Sequence, residues 1–246
     1  MKCPKVVLAV LLLLIQLLNA ETELMVSAAS SLKNVFTEIG AGFEKEHSGT
    51  KVLFNFAASG QLQAQIEMGA PVDVFASASQ KEIKAMVEKK LIDAKNVQNF
   101  AQNALVLIKS SSNKIQIKDL SDLKKKEIQK IAISNKTSVP AGKYAYQSLE
   151  YYKLAKDLNS KLIICENVRQ VLDYVERNEV DAGFVFATDA KVGKNVKAAV
   201  FIAEESHEKI IYPISVIKTS PVQKLAQDFT DYVVKSRAVL QKHGFK

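Results

Sequence analysis

Small polar residues recur where strand-like segments of the sequence give way to helix-like segments. Four such junctions contain Ser30-Ser31, Ser59-Gly60, Pro140-Ala141-Gly142 and Glu166-Asn167. A helix start exposes unpaired backbone N–H groups and the positive end of the helix dipole, so four starts facing one cleft could hold an anion with neutral donors. A single junction of this kind is more often an ordinary helix cap. Because ligands bind outside the carboxyl ends of parallel strands, the four together favour an anion or small-ligand site.

Motifs for hydrolysis or metal binding do not occur in the sequence. It contains no GxSxG nucleophile motif, HExxH helix, paired-cysteine metal motif or Walker loop. The three histidines, His47, His207 and His243, are far apart in polar contexts, which indicates exposed side chains rather than metal ligands. Neither Ser31 nor Ser59 has a histidine in an activating motif. The sequence therefore predicts no enzyme, and a secreted serine hydrolase is the less favoured alternative.

The N-terminus has the pattern of a secretory signal peptide. Lys2 and Lys5 precede an apolar run, residues 6–18, and Ala20 supplies a small residue before an acidic segment. The run is shorter than the roughly 20 apolar residues that span a bilayer. The sequence predicts a signal peptide over residues 1–20 and a mature protein that begins at Glu21 and is soluble in the periplasm.

Charge composition argues against a nucleic-acid partner, and the cysteine content argues against a reactive thiol. The formal net charge of the 246-residue chain is +8, and removal of Lys2 and Lys5 leaves +6, a mild excess. There is no Trp, and the densest basic cluster, residues 124–126, lies among acidic residues, so nucleic acid is not a predicted partner. Cys165 is the one thiol of the mature chain and follows an apolar run, which predicts a buried, unreactive side chain.

The mature chain alternates strand-like and helix-like segments. Strands are predicted at Leu24–Val26, Val52–Phe56, Val72–Ala76, Ala104–Ile108, Ile131–Ser134, Leu162–Cys165, Gly183–Phe186, Val200–Ile202 and Ile210–Val216. Helical spacing of apolar residues follows Leu32, Val168 and Val222. This alternation predicts an α/β architecture with a largely parallel sheet.

Five sequence blocks resemble the periplasmic molybdate-binding proteins of ABC importers, which are type II periplasmic-binding proteins. They are MVSAASSLKNV, FNFAASGQLQAQIEMGAPVDVFASAS, VPAGKYA, ENVRQVLDYVERNEVDAGFVFATDA and HEKIIYPISVI, in order between Leu24 and Phe245. The resemblance implies two lobes, each a largely parallel sheet flanked by helices, with the ligand in the cleft between them. Lobe I would contain residues 21–101 plus 213–246, and lobe II residues 102–212. The chain would cross between lobes near Phe100–Leu105 and Ile211–Ser215.

The resemblance also implies the ligand and its contacts. In that family hydrogen bonds alone hold an unprotonated tetrahedral oxyanion, here molybdate or tungstate, without direct metal ligands or another cofactor. The matching donors are the hydroxyl and N–H groups of Ser31 and Ser59 and the backbone N–H groups of Ala141 and Val168. Phe186 occupies a position where many relatives have Tyr, so one hydroxyl donor is missing there.

This departure leaves the anion preference open. Thr188 or a water molecule is the candidate replacement for the missing hydroxyl. The implied partners are the oxyanion and the membrane permease of an ABC transporter, with the protein a monomer. The alternatives are a receptor for sulfate or another tetrahedral oxyanion on the same fold, and an adhesin whose basic surface holds a polyanion.

Overall fold

The structure, a computed structural model, describes residues 21–246. The predicted signal peptide lies outside the described residues. Two five-stranded sheets form the framework. The first contains β1 (Thr22–Ala29), β2 (Thr50–Ala57), β3 (Val74–Ala76), β4 (Gln98–Gln102) and β10 (Ile211–Val216), in the order β2-β1-β3-β10-β4. The second contains β5 (Leu105–Ser110), β6 (Ile131–Ser134), β7 (Leu162–Cys165), β8 (Ala182–Phe186) and β9 (Val196–Phe201), in the order β7-β6-β8-β5-β9.

Both sheets are mixed, which corrects the prediction that each is largely parallel. β1 pairs in parallel with β2 and β3, but β10 runs antiparallel to β3 and β4. In the second sheet β6 pairs in parallel with β7 and β8, whereas β5 is antiparallel to β8 and β9. Every antiparallel pair involves β5 or β10, the strands that the chain enters directly after crossing between the sheets.

The helices divide between the two sheets, which with their helices form lobe I and lobe II. Lobe I has α1 (Lys33–Glu46), α2 (Ser59–Glu67), α3 (Gln80–Glu88), α8 (Gln223–Lys235) and α9 (Arg237–Lys242). Lobe II has α4 (Pro140–Tyr151), α5 (Ala155–Leu158), α6 (Val168–Glu176) and α7 (Ala187–Val192). Short 3-10 helices occur at Ser30–Leu32, Ala94–Asn96, Leu120–Lys124, Asn159–Lys161 and Glu204–Ser206.

The sheet of lobe I is covered on both faces. On one face the rings of Phe36 and Phe43 in α1 pack against Phe229 in α8, with centroids 6.3 and 5.2 Å apart. On the other, a separate cluster joins Phe75 of β3 to apolar residues of α2 and α3. Consecutive β3 side chains therefore enter different layers, as the period of two along a strand requires.

α6 fixes the second lobe through an apolar face. Its buried residues Val168, Val171, Leu172 and Val175 follow the predicted i, i+3, i+4, i+7 spacing. Burying each of these side chains contributes about 1.5–3 kcal/mol, which offsets the cost of ordering the nine-residue helix against the sheet. The position of the α6 N-terminus is therefore set by the packing of the apolar face of this helix against the sheet.

The chain changes sheet between Gln102 and Leu105 and again between Phe201 and Ile211. The exact lobe bounds stay a prediction. Among residues 21–246, no helix combines the length and the apolar composition that crossing a bilayer requires.

Candidate anion-binding site

The five predicted ligand residues all lie at the carboxyl ends of parallel strands. Ser31 follows β1 in the 3-10 helix Ser30–Leu32, Ser59 follows β2 as the first residue of α2, and Phe186 ends β8. Ala141 is the second residue of α4, after β6, and Val168 is the first of α6, after β7. Each of the five is at most 3% exposed. The fold thus collects them at two facing sheet edges, while their contact with an anion remains a prediction.

The serines at the first two junctions are not helix caps. The N-cap residues there are Ala29 and Ala58, and the N-cap of α4 is Val139, so at these three helix starts within residues 21–246 no N-cap side chain accepts from the first turn. At the fourth junction, Asn167 is an ordinary helix cap, and its side-chain oxygen accepts from the backbone N–H groups of Arg169 and Gln170. Uncapped first turns keep N–H groups available for an anion.

Ser59 is oriented by its neighbour in lobe I. Its Oγ accepts a hydrogen bond of 3.1 Å from the backbone N–H of Ala78, which leaves the hydroxyl hydrogen free to donate. The adjacent Gly60 N–H donates across the cleft to the carbonyl oxygen of Ser138, at 2.9 Å. A Cβ on Gly60 would lie 2.8 Å from that oxygen and 2.9 Å from Ser138 Cα, so glycine is required for this approach of the lobes.

Ser31 has contacts on both sides of the cleft. Its Oγ lies 3.1 Å from the hydroxyl oxygen of Tyr212, and both residues are buried. Its carbonyl oxygen accepts from Arg169 Nη2 at 3.5 Å, and Arg169 follows Val168 in lobe II. This contact joins the 3-10 helix of lobe I to the start of α6.

The arginine nearest the site is neutralised by a buried carboxylate. Arg169 Nε lies 2.8 Å from Oδ1 of Asp189, which is fully buried in the first turn of α7. Burial raises the pKa of the Asp189 carboxyl to about 6, although Arg169 opposes the shift. At neutral pH the ion pair carries no net charge, so the cleft is lined by neutral donors here.

Phe186 lies between two buried tyrosines. Its ring centroid is 5.8 Å from that of Tyr212 and 6.3 Å from that of Tyr144. Tyr144, one turn after Ala141 in α4, donates its hydroxyl across the cleft to the carbonyl oxygen of Ala78 at 3.5 Å. Burial raises the pKa of both tyrosines well above the usual value, so their hydroxyls stay protonated and can donate.

The start of α4 approaches the end of β6 closely. A Cβ on Gly142 would lie 2.2 Å from the carbonyl oxygen of Ser134, so only glycine fits at the end of the VPAG block. Pro140 occupies the first helical position, where its missing N–H is not needed. The N–H of Ala141, between them, is therefore held at the sheet edge by backbone geometry alone.

Other predicted candidates lie apart from the cleft or are buried within the lobes. Cys165 is buried, as predicted, and burial raises the pKa of its thiol to about 11. His243 pairs with Glu38 on the surface of lobe I, and His47 stacks on Phe43. Over the described residues 21–246, no group of His, Cys, Asp or Glu side chains could hold a metal ion.

Sequence reasoning missed several features of this cleft: the contact of Gly60 with Ser138, the residues Asn103, Tyr144 and Tyr212, and the pair Arg169–Asp189. Their partners are distant in sequence, so spacing alone does not reveal them. The one available signal was that Asn103 and Tyr212 are polar residues within the predicted crossings.

Comparison with known proteins places this geometry in a family. The molybdate-binding protein ModA of Escherichia coli (strain K12) is 35% identical over 232 residues, 92% of this chain and 89% of that protein. The periplasmic molybdate-binding protein of Azotobacter vinelandii has the same fold, with a TM-score of 0.81 at 22% identity, covering 91% of this chain and 98% of that chain.

The sulfate-binding protein SubI of Mycobacterium tuberculosis H37Rv also shares the fold, with a TM-score of 0.77 at 16% identity over 91% of this chain and 86% of that chain. These likenesses confirm the two-lobed α/β fold. A model of the family described as bacterial extracellular solute-binding protein matches residues 24–246. The chain therefore belongs to the bacterial extracellular solute-binding protein family.

Proposed function

We propose that the protein captures molybdate, and tungstate by the same chemistry, in the periplasm and delivers it to the membrane permease of an ABC importer. The observation that carries the proposal is the 35% identity to a molybdate-binding protein over 92% of the chain. In this proposal the mature protein begins at Glu21, acts as a monomer, and has no catalytic residue or further cofactor.

The proposed ligand shell consists of neutral donors from both lobes. Ser31 and Ser59 donate through their hydroxyl and N–H groups, and Ala141 and Val168 donate through backbone N–H groups. Neutral donors suit a dianion that must be released, because fixed charges buried in the cleft would need partners when the site is empty. Arg169 does not add a net charge to this shell, because its positive charge is balanced by the carboxylate of Asp189.

A shell of donors also favours oxyanions that carry no proton. The O–H of a protonated anion would face donors and find no acceptor, which leaves a buried polar group unpaired. Phosphate is protonated near neutral pH, whereas molybdate, tungstate and sulfate are not. The proposal therefore expects exclusion of phosphate by hydrogen bonding and of sulfate by the size of the cleft.

A thermal-shift series of oxyanions tests the function. Ligand at a thousandfold excess over Kd adds about 4 kcal/mol to the free energy of unfolding. For a chain of this size that corresponds to a rise in Tm of about 10 °C. We expect this rise with molybdate and tungstate and a much smaller one with sulfate or phosphate. The absence of a shift with every oxyanion would remove the proposed function.

A sulfate receptor is the second candidate, because Phe186 departs from the tyrosine that the resemblance implies and leaves the anion preference open. This side chain offers no hydroxyl to the site, so the shell has one donor fewer than the resemblance implies. Competition calorimetry with molybdate and sulfate separates the two candidates. Equal or tighter binding of sulfate would replace molybdate as the proposed ligand.

A further inference from the structure

Three buried side chains beside the cleft form a hydrogen-bond chain that ends at Ser31. We propose that this chain, Asn103–Tyr212–Ser31, turns the Ser31 hydroxyl hydrogen toward the bound anion and thereby sets the preference for unprotonated oxyanions. The inference rests on the proposed function, because it assigns positioning residues to that same site. Asn103 lies between β4 and β5, where the chain first crosses between sheets, and Tyr212 is the second residue of β10, just after the second crossing.

The donor-to-acceptor direction of this hydrogen-bond chain follows from one contact with the backbone. Asn103 Oδ1 accepts from the N–H of Ala104 at 2.9 Å, and only the oxygen of an amide side chain can accept. The amide nitrogen must therefore point the other way. There it donates to Thr188 Oγ1 at 2.9 Å and to the hydroxyl oxygen of Tyr212 at 3.2 Å. Asn103 thus acts as a donor to both hydroxyls.

The next step concerns Tyr212. Its oxygen accepts from Asn103, so its own hydrogen is available for the one other partner it has within residues 21–246, Ser31 Oγ at 3.1 Å. Tyr212 is fully buried, so bulk solvent does not offer its hydroxyl an alternative acceptor. Tyr212 therefore donates to Ser31.

Ser31 completes the sequence. Because its oxygen accepts from Tyr212, its own hydrogen is left to donate into the cleft. A serine hydroxyl can ordinarily rotate to donate or to accept, so an isolated Ser31 could accept the O–H of a protonated anion. With Tyr212 in place, accepting from a protonated anion as well would leave the Ser31 hydrogen unpaired, since Tyr212 is the one hydrogen-bond partner of Ser31 Oγ within residues 21–246. The chain therefore converts an adaptable group into a committed donor.

All four side chains are shielded from solvent: Asn103, Thr188, Tyr212 and Ser31 are each at most 7% exposed. Hydrogen bonds in such a low-dielectric setting polarise one another, and an unpaired member would be costly. Asn103 also contacts both lobes, through Thr188 of α7 and Tyr212 of β10. The orientation of Ser31 is thus tied to the arrangement of the two lobes.

Calorimetry with molybdate and phosphate on the full mature chain tests the proposal, using two variants. Tyr212→Phe removes one hydroxyl, and we expect molybdate Kd to rise about tenfold. Phosphate, measured by displacement, should lose less or gain, so the preference for molybdate falls. Tyr232→Phe is the matched control, because its hydroxyl bonds Glu46 on the surface of lobe I, and it should change neither Kd.

Asn103→Asp reverses the chain at nearly constant volume. An ionised carboxylate accepts from Tyr212, which then accepts from Ser31 and draws the Ser31 hydrogen away from the cleft. We expect molybdate Kd to rise about a hundredfold, more than for Tyr212→Phe. The new charge also repels the anion, so the substitution is repeated in the Tyr212→Phe background. There the charge remains but the chain is broken, and the loss should be distinctly smaller.

The outcomes are distinguishable. If the unaltered protein binds no oxyanion, the proposed function fails and this inference falls with it. If it binds molybdate but Tyr212→Phe weakens molybdate and phosphate by the same factor, the tyrosine only packs and the inference is overturned. The inference is also overturned if Asn103→Asp raises molybdate Kd by the same factor in the unaltered protein and in the Tyr212→Phe variant. If Tyr212→Phe does not fold, as the Tm without ligand reports, the preference ratio of Asn103→Asp decides.

Discussion

In the proposed site, the two lobes present donors of different kinds to the same cleft. Lobe I contributes serine hydroxyls, Ser31 and Ser59, each held by a further hydrogen bond from its own surroundings. Lobe II contributes the first turns of α4 and α6, whose side chains Ala141 and Val168 carry no polar atom. Its donors are backbone N–H groups, fixed when the helix packs.

This difference teaches how each half of the site can be altered. A hydroxyl rotates, so its direction depends on neighbours such as Ala78 and Tyr212, and a single side-chain change removes it. A backbone N–H needs no neighbour to aim it, and ordinary side-chain substitutions leave it in place. Lobe I should therefore control selectivity, and lobe II should supply a constant electrostatic field at the helix ends.

The contact between the lobes gives the largest expected effect. Gly60→Ala places a methyl group within 2.9 Å of the Ser138 backbone, which cannot move without displacing the start of α4. We expect molybdate affinity to fall a hundredfold or more, equivalent to about 3 kcal/mol of lost closure energy. Without ligand the Tm should hold or rise, because alanine favours helix α2 by up to about 1 kcal/mol.

Small-angle scattering with and without molybdate measures closure directly for this variant. Gln63→Ala, on the same helix, is the control and should bind as the unaltered protein does. Normal affinity of Gly60→Ala would mean that both lobes donate to the anion without the approach seen between Gly60 and Ser138.

Removing a hydroxyl from lobe I has the next largest effect. Ser59→Ala deletes a donor to a charged ligand, and such a bond is worth about 1.5–3 kcal/mol, or roughly 10- to 100-fold in Kd. It also leaves the buried N–H of Ala78 without its acceptor, so the Tm without ligand should fall. Ser59→Thr keeps the hydroxyl and should restore most of the molybdate affinity and most of the Tm without ligand. Calorimetry and thermal unfolding of the pair provide the measurement.

A backbone donor of lobe II can be removed only by proline. Val168 is the first residue of α6, where proline fits, and Asn167 before it is extended, with φ −157° and ψ 170°. Val168→Pro should therefore fold and lose one N–H, weakening molybdate about tenfold. Val168→Ala loses similar packing but keeps the N–H, and its Kd should stay within about twofold. Equal affinities of the two variants would exclude this N–H as a ligand.

The sequence predicted local features better than distant ones. The apolar spacing of α6 and the run of β7 depend on neighbouring residues and were found with accurate bounds. β4 was missed because its sequence, QNFAQ, is mostly polar at the edge of the sheet. The predicted parallel sheets were wrong in half of their pairings, since hydropathy does not show which strands pair with β5 and β10 or in which direction.

The same limit applies to the site. The four junctions were visible because each combines a strand end and a helix start within a few residues. The partners that aim the donors were not, since Tyr212 is 181 positions from Ser31 and 109 from Asn103. Only folding brings such residues together, and no local pattern encodes their meeting.

The smallest expected effect concerns Phe186, where lobe II would gain a hydroxyl of the lobe I kind. Its ring is 1% exposed and lies between Tyr144 and Tyr212, so an added oxygen must enter a packed environment. Accommodating that oxygen costs part of the roughly 1.5–3 kcal/mol that a bond to the anion would contribute. We therefore expect Phe186→Tyr to tighten molybdate binding by at most about threefold, instead of the tenfold that a free donor would give.

The enthalpy measured by calorimetry separates the reasons for a small effect. A more favourable enthalpy with little gain in affinity means that the hydroxyl reaches the anion but strains its neighbours. Unchanged enthalpy and affinity mean that the lobe I donors already saturate the oxygen that the new hydroxyl would address. Phe186→Leu, which keeps an apolar side chain without the ring, shows whether the position lines the site at all. If this variant also binds normally, Phe186 is not a ligand position, and the equivalence with the tyrosine of the relatives is wrong.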